Sequence, residues 1–158
     1  PAPFGLESEA SLTLLHSVDE INFLRRTFAN PAFSHPLCAA ARYMAHVNSA
    51  AGHPRRTYAL LTDDSLLMLC FGAAGELTFA NRFPATSADD AAYFILASLP
   101  KDCPLIIGGP AELRNATADT LRRFIDPVMP LTLAPNLLHL LAEAPGAPLD
   151  LLMLTQTI

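Results

Sequence analysis

Basic residues are scarce in this chain. Its 158 residues include only ten Lys and Arg against fifteen Asp and Glu, for a net charge of −5. The basic residues gather only as the pairs Arg25-Arg26, Arg55-Arg56 and Arg122-Arg123. Such pairs cannot be assembled into the basic face that tracks a phosphate backbone, so nucleic acid is not an expected partner. Cysteine is sparse too. Cys38, Cys70 and Cys103 are odd in number, far apart and in no CxxC pair, which argues against a disulfide framework, a zinc motif and a thiol redox motif. Cys38, in an Ala-rich helical stretch, and Cys70, in an apolar strand, read as small buried residues of a reducing compartment. No apolar run approaches the roughly 20 residues that span a bilayer. The start, Pro1-Ala-Pro-Phe4, has neither the basic region nor the apolar run of a signal peptide. A cytoplasmic protein without a membrane span is therefore expected, and Pro1 in place of Met suits a processed chain or a fragment.

Catalytic motifs are missing as well. His16, His35, His46, His53 and His139 are scattered and form no HExxH pair, and no GxSxG elbow exists. Metal hydrolysis and triad catalysis are not expected. What the chain does have is apolar residues, 51% of the total, with only 16% charged. That is enough for the core of one domain, with surface left to be covered by another lobe or a partner.

The order of elements is the strongest signal. A short β-prone run, Ala10 to His16, precedes Ser17-Val-Asp-Glu20, which has the spacing of a capping box. Ile21, Leu24 and Phe28 continue at helical spacing until Asn30-Pro31. Ser34-His35-Pro36 starts a second helix, with Leu37, Ala40, Ala41, Met44 and Val47 as one apolar stripe. Gly52-His53-Pro54 is the one convincing linker. Beyond it come strands at Thr57–Leu61, Leu66–Phe71 and Glu76–Phe83, turning at Asp63-Asp64 and at Gly72 to Gly75. The second is apolar on both faces, as a central strand should be, and the third alternates with period two. Ser87 caps a helix burying Ala91, Phe94 and Ile95 and closed by Pro100. A strand at Leu105–Ile107 runs into Gly108-Gly109-Pro110. A helix is expected from Thr117 through Leu121, Phe124 and Ile125, and then a strand at Val128–Leu133. A short helix capped by Asn136 and a last strand at Leu149–Leu154 complete the reading.

Three meander strands followed by alternating helices and strands is the element order of the ribonuclease H-like fold, shared by nucleases and by each lobe of the actin-like ATPases. Meander strands are antiparallel neighbours, and right-handed crossovers set the later strands parallel to the first. The expectation is an α/β domain with a five-stranded mixed sheet in order 3-2-1-4-5, flanked by helices. A nuclease of this fold needs acids clustered at the first strand, first helix and fourth strand to hold two metals. Here those strands read Tyr58-Ala-Leu-Leu61 and Leu105-Ile-Ile-Gly108, so a nuclease is not expected.

The stretch Tyr58 to Leu99 resembles a bacterial family, domain of unknown function 3822, which belongs with the actin-like ATPases. The likeness rests on Gly75-Glu-Leu-Thr-Phe-Ala-Asn81, on Phe83 and on Ser87-Ala-Asp-Asp-Ala-Ala-Tyr-Phe-Ile-Leu96. It continues through Leu105-Ile-Ile-Gly108 and back through Leu12 to His35. The resemblance implies a two-lobed relative, with residues 55–158 as an actin-related lobe and residues 1–54 as the end of a first lobe or a bridge. It also implies where a nucleotide would sit: phosphate at the first hairpin, adenosine at a Gly-Gly after the fourth strand. The positions are Asp63, Asp64, Gly108 and Gly109. The phosphate turn should be glycine-rich, so that backbone amides can approach, yet it is Thr62-Asp-Asp-Ser65.

Like charges there repel a polyphosphate unless Mg²⁺ intervenes. The expectation is a non-catalytic scaffold or interaction module with no cofactor, and an ATP-dependent switch as the alternative. Its partner would be another protein or a second copy. The surface expected for it is the sheet edge Glu76–Phe83 together with the first 50 residues, since an edge leaves backbone groups open for pairing. Glu76 and Arg82 would discourage indiscriminate pairing there, while Thr78 and Ala80 leave the middle accessible.

Overall fold

In the computed structural model, residues 17–29, 35–52 and 55–155 are described. The strand expected at residues 10–16, and with it His16 and His53, lies outside them. β1 (Arg56–Leu61), β2 (Ser65–Phe71) and β3 (Leu77–Pro84) form the antiparallel meander, while β4 (Leu105–Gly108) and β5 (Val128–Pro130) add parallel strands on the other side of β1. The spatial order is β3-β2-β1-β4-β5, as the element order implies.

Helices cover both faces. On one lie α2 (Pro36–Ala50), α5 (Pro135–Glu143) and α6 (Leu149–Met153), packed on Tyr58, Leu60, Leu67, Leu69 and Phe71. On the other lie α3 (Ala88–Ser98) and α4 (Ala111–Leu121), packed on Ala59, Leu61, Leu66, Met68 and Ile107. All seven residues of β2 are buried, which is why its sequence shows no alternation. The stripe on α2 is covered within the chain: Leu37, Ala40, Ala41 and Met44 are buried, and α2 packs against α6, β2 and β3. α1 spans Val18–Thr27. It has the capping box of Ser17 and Glu20 but buries no residue completely.

The structure corrects several boundaries. Leu149–Met153 is a helix rather than a strand, entered through Pro148, and among the described residues the sheet ends at β5. α4 begins at Ala111, six residues before Thr117, and ends at Leu121, leaving Phe124 exposed in the turn that follows. The last strand stops at Pro130, with one further ladder bond from Leu131 N to Ile107 O at 2.8 Å. The cap of α5 falls on Ala134, so Asn136 is its second residue. Cys38 is half-buried, whereas Cys70 and Cys103 are fully buried, both 3.3 Å from the Thr57 hydroxyl. Burial pushes the Cys70 thiol up, which disfavours its thiolate.

At the start of α3 the sequence and structure agree in detail. Ser87 Oγ accepts from Asp90 N at 3.1 Å, and the Asp90 carboxylate accepts from Thr86 N. Contact with the Ser87 hydroxyl, and then with the Thr86 backbone, holds Asp90 below its ordinary 3.8. A depressed carboxyl contributes stability above its unfolded pKa and loses it as pH falls through the folded value. The melting temperature should therefore decline as pH drops below about 4, and Asp90→Asn should flatten that decline. Ser87→Ala should cost about 1 kcal/mol at neutral pH, measured by urea unfolding.

Candidate functional site

The three parallel strands end side by side, β1 at Leu61, β4 at Gly108 and β5 at Pro130. The crevice beyond the carboxyl ends of an open sheet is where loops can surround a ligand. Here it is a cleft of about 570 Å³. Asp63, Asp64, Gly108 and Gly109 all line it. Four positions singled out separately in the sequence are thus one place in space.

The β1–β2 hairpin forms one wall, and its polar groups satisfy each other. Thr62 N donates to Ser65 O at 2.8 Å, and Ser65 N donates to Thr62 Oγ1 at 3.0 Å. The Thr62 hydroxyl also lies 2.7 Å from Ser65 Oγ and 3.0 Å from Asp64 Oδ1. These hydroxyls, Thr62 first, hold the exposed Asp64 carboxyl below the usual range, so the hairpin tip is charged at neutral pH. The carbonyl of Asp64 accepts from Ala85 N at 3.1 Å, which fastens the tip to the end of β3.

The two glycines form the floor by close packing. A Cβ at Gly108 would lie 2.8 Å from Leu131 Cδ2, and one at Gly109 would lie 2.5 Å from the carbonyl oxygen of Leu61. Gly109 also has φ +128°, a conformation that side chains strongly disfavour. Both glycines are accounted for by this approach of loop to strand.

The remaining walls escaped the sequence reading. Arg114 comes from the first turn of α4, and Leu131, Leu138, Leu141 and Leu149 come from segments after β4. Arg114 leans along its own helix, its guanidinium donating to Asn115 Oδ1 at 3.2 and 3.3 Å. A second unforeseen group stands behind the hairpin. Arg82 of β3 donates to Ser65 Oγ at 3.0 Å and pairs with Asp150 of α6. Asp150 is 3% exposed and Arg82 36%. Arg82, expected to guard the sheet edge, is folded inward over the sheet. Thr78 occupies a bulge, because Cys70 pairs with Phe79 and Phe71 with Leu77; its hydroxyl donates to Cys70 O at 3.1 Å.

Among the described residues, no group of three or more His, Cys, Asp and Glu could hold a metal ion, and no helix is long and apolar enough to cross a membrane. No curated protein matches the chain. A solved structure from Bacteroides thetaiotaomicron, described as a protein with actin-like ATPase fold and unknown function, is similar at TM-score 0.64 and 21% identity. The match covers 85% of this chain and 49% of that one, so the chain spans about half the length of that structure. The likeness shows the fold, an actin-like α/β lobe. Residues 9–128, well over half the chain, match the model of the family described as Protein of unknown function (DUF3822), and to that family the chain belongs.

Proposed function

We propose that the chain is a non-catalytic actin-like lobe that serves as a scaffold or protein-interaction module in a bacterial cytoplasm. The observation that carries this reading is the β1–β2 hairpin. A phosphate turn needs amides free to point at the ligand and no negative charge beside them. This turn has no glycine, spends the amides of Thr62 and Ser65 on its own hydrogen bonds, and sets Asp63 and Asp64 at the cleft. A triphosphate there would meet two carboxylates and a leucine-rich wall. The residues do not fit that group.

The opposite reading, a nucleotide-binding switch, is favoured by the convergence of Asp63, Asp64, Gly108 and Gly109 on one cleft. A calorimetric titration of the purified chain with Mg-ATP separates the two. No saturable heat is expected. Micromolar binding that disappears in Arg114→Ala would overturn the proposal. Bulky residues at Gly108 or Gly109 are poor controls, because they break packing whatever the ligand.

The open edge of the sheet supports the interaction reading. Among the described residues β3 has no strand on its outer side, and its Phe79 and Phe83 continue onto α3 as an aromatic strip. Phe79 stacks on Phe83 with ring centroids 6.5 Å apart, Phe83 on Phe94 at 4.7 Å, and Tyr93 meets Phe94 edge-on at 5.3 Å. Tyr93 is 67% exposed. An open edge beside exposed aromatics suits a strand added from another chain. Sedimentation should show concentration-dependent self-association that Tyr93→Glu abolishes without changing the melting temperature. A monomer at every concentration would remove self-association as the mode. The double length of the solved relative supports reading residues 1–54 as the end of a first lobe or a bridge and residues 55–158 as the second lobe.

A further inference from the structure

The cleft at the strand ends has a chemistry of its own. A concave site of about 570 Å³ lies in the range that takes small organic ligands, which are typically held by apolar walls and a few placed polar groups. Leu61, Leu131, Leu138, Leu141 and Leu149 supply apolar wall. Leu138 is 52% exposed although it lines a cavity, so it offers apolar surface that a ligand would cover. No side chain can fill the floor at Gly109, where a Cβ would meet the Leu61 carbonyl oxygen at 2.5 Å.

The charged groups at the cleft have both signs and come from different elements. Asp63 and Asp64 sit on the hairpin after β1, and Arg114 sits on the helix after β4. A polyanion is repelled by the hairpin. A fatty acid would find a partner only in Arg114, and an alkylamine only in the aspartates. A molecule with an apolar body, an ammonium and a carboxylate uses all three. We propose that this cleft binds a short apolar peptide with free ends. Its amino group would face Asp63 and Asp64, its carboxylate Arg114, and its side chains the leucines. The inference rests on the proposed function only in taking the hairpin as unfit for phosphate.

The test is calorimetry on the full chain with leucyl-leucine, its N-acetyl form, its C-terminal amide, decanoate and decylamine. Leucyl-leucine should bind saturably, and blocking either end should weaken binding about ten-fold, the effect of one charged contact. Asp63→Asn combined with Asp64→Asn should abolish the difference between leucyl-leucine and its acetylated form. Arg114→Gln should abolish the difference from the amide. Leu138→Arg, at an exposed position, should prevent binding while leaving the melting temperature unchanged. Absence of saturable binding by leucyl-leucine, equal binding of the blocked peptides, or equally tight binding of decylamine or decanoate would overturn the proposal. Mg-ATP is read in the same instrument. Its binding would count against the non-catalytic reading, and failure of the peptide alone would leave that reading standing.

Discussion

Gly109→Val should be the most damaging substitution at the cleft, lowering unfolding free energy by about 3 kcal/mol or more. Two costs combine. A side chain at φ +128° is strained whatever the space around it. Its Cβ would also lie 2.5 Å from the Leu61 carbonyl oxygen, and backbone on both sides leaves little that can yield. Gly146→Ala is the internal control. Gly146 has φ +93° but nothing within 4 Å of an added Cβ, so only the conformational cost of about 1 kcal/mol should appear. Chemical denaturation of the two variants separates the terms. Similar losses in both would mean that β4 and β1 can part at their ends without penalty, contrary to the packing described.

The second large effect should come from Arg82. Removing one partner of a buried ion pair leaves the other charge without compensation, typically at 3–5 kcal/mol. The two residues here are unequal. Asp150 is 3% exposed, so Arg82→Ala strands a carboxylate that water cannot reach, at a cost of about 3 kcal/mol. Arg82 is 36% exposed and keeps its contact with Ser65, so Asp150→Ala should cost less, about 1–2 kcal/mol. Arg82→Met with Asp150→Leu should recover much of the loss, since a hydrophobic pair of similar volume avoids desolvation altogether. Urea unfolding of the singles and the double gives the coupling directly. Equal losses from the two single alanine variants would contradict the assigned burial.

The sheet could be read from the sequence because its signals are local. Leu66 to Phe71 is apolar without a break, and the alternation from Glu76 to Phe83 marks a strand with one open face. Connection rules then order the strands. Signals that depend on burial failed where burial was absent. The first six residues of α4, Ala111 to Ala116, include no buried side chain, so helical periodicity begins only at Thr117, where burial starts. Leu149 to Leu154 failed for the opposite reason, since a short run of nearly unbroken apolar residues has no period to distinguish strand from helix.

Part of the cleft was legible in the same way. Gly108 ends a strand and Asp63, Asp64 and Gly109 follow one, and strand ends can be located from sequence. Arg114 sits in the unrecognised part of α4. Leu138 and Leu141 lie on a recognised helix, but nothing local says that this helix borders the strand ends. The Arg82–Asp150 pair joins residues 68 apart in sequence, one of them in a segment read as a strand.

The strand order has a consequence for the making of the chain. β1 precedes the other four strands of this sheet in the chain, yet it takes the central place between β2 and β4. β2 and β3 follow at once and can close a meander on one side of it. The other side, with Tyr58, Ala59, Leu60 and Leu61 destined for full burial, waits until Leu105 to Gly108 have left the ribosome. During that interval the nascent chain carries an apolar strand with an unpaired edge, the kind of segment through which growing polypeptides stick to one another. The central strand of the finished sheet is thus the one most in need of shelter while it is being built.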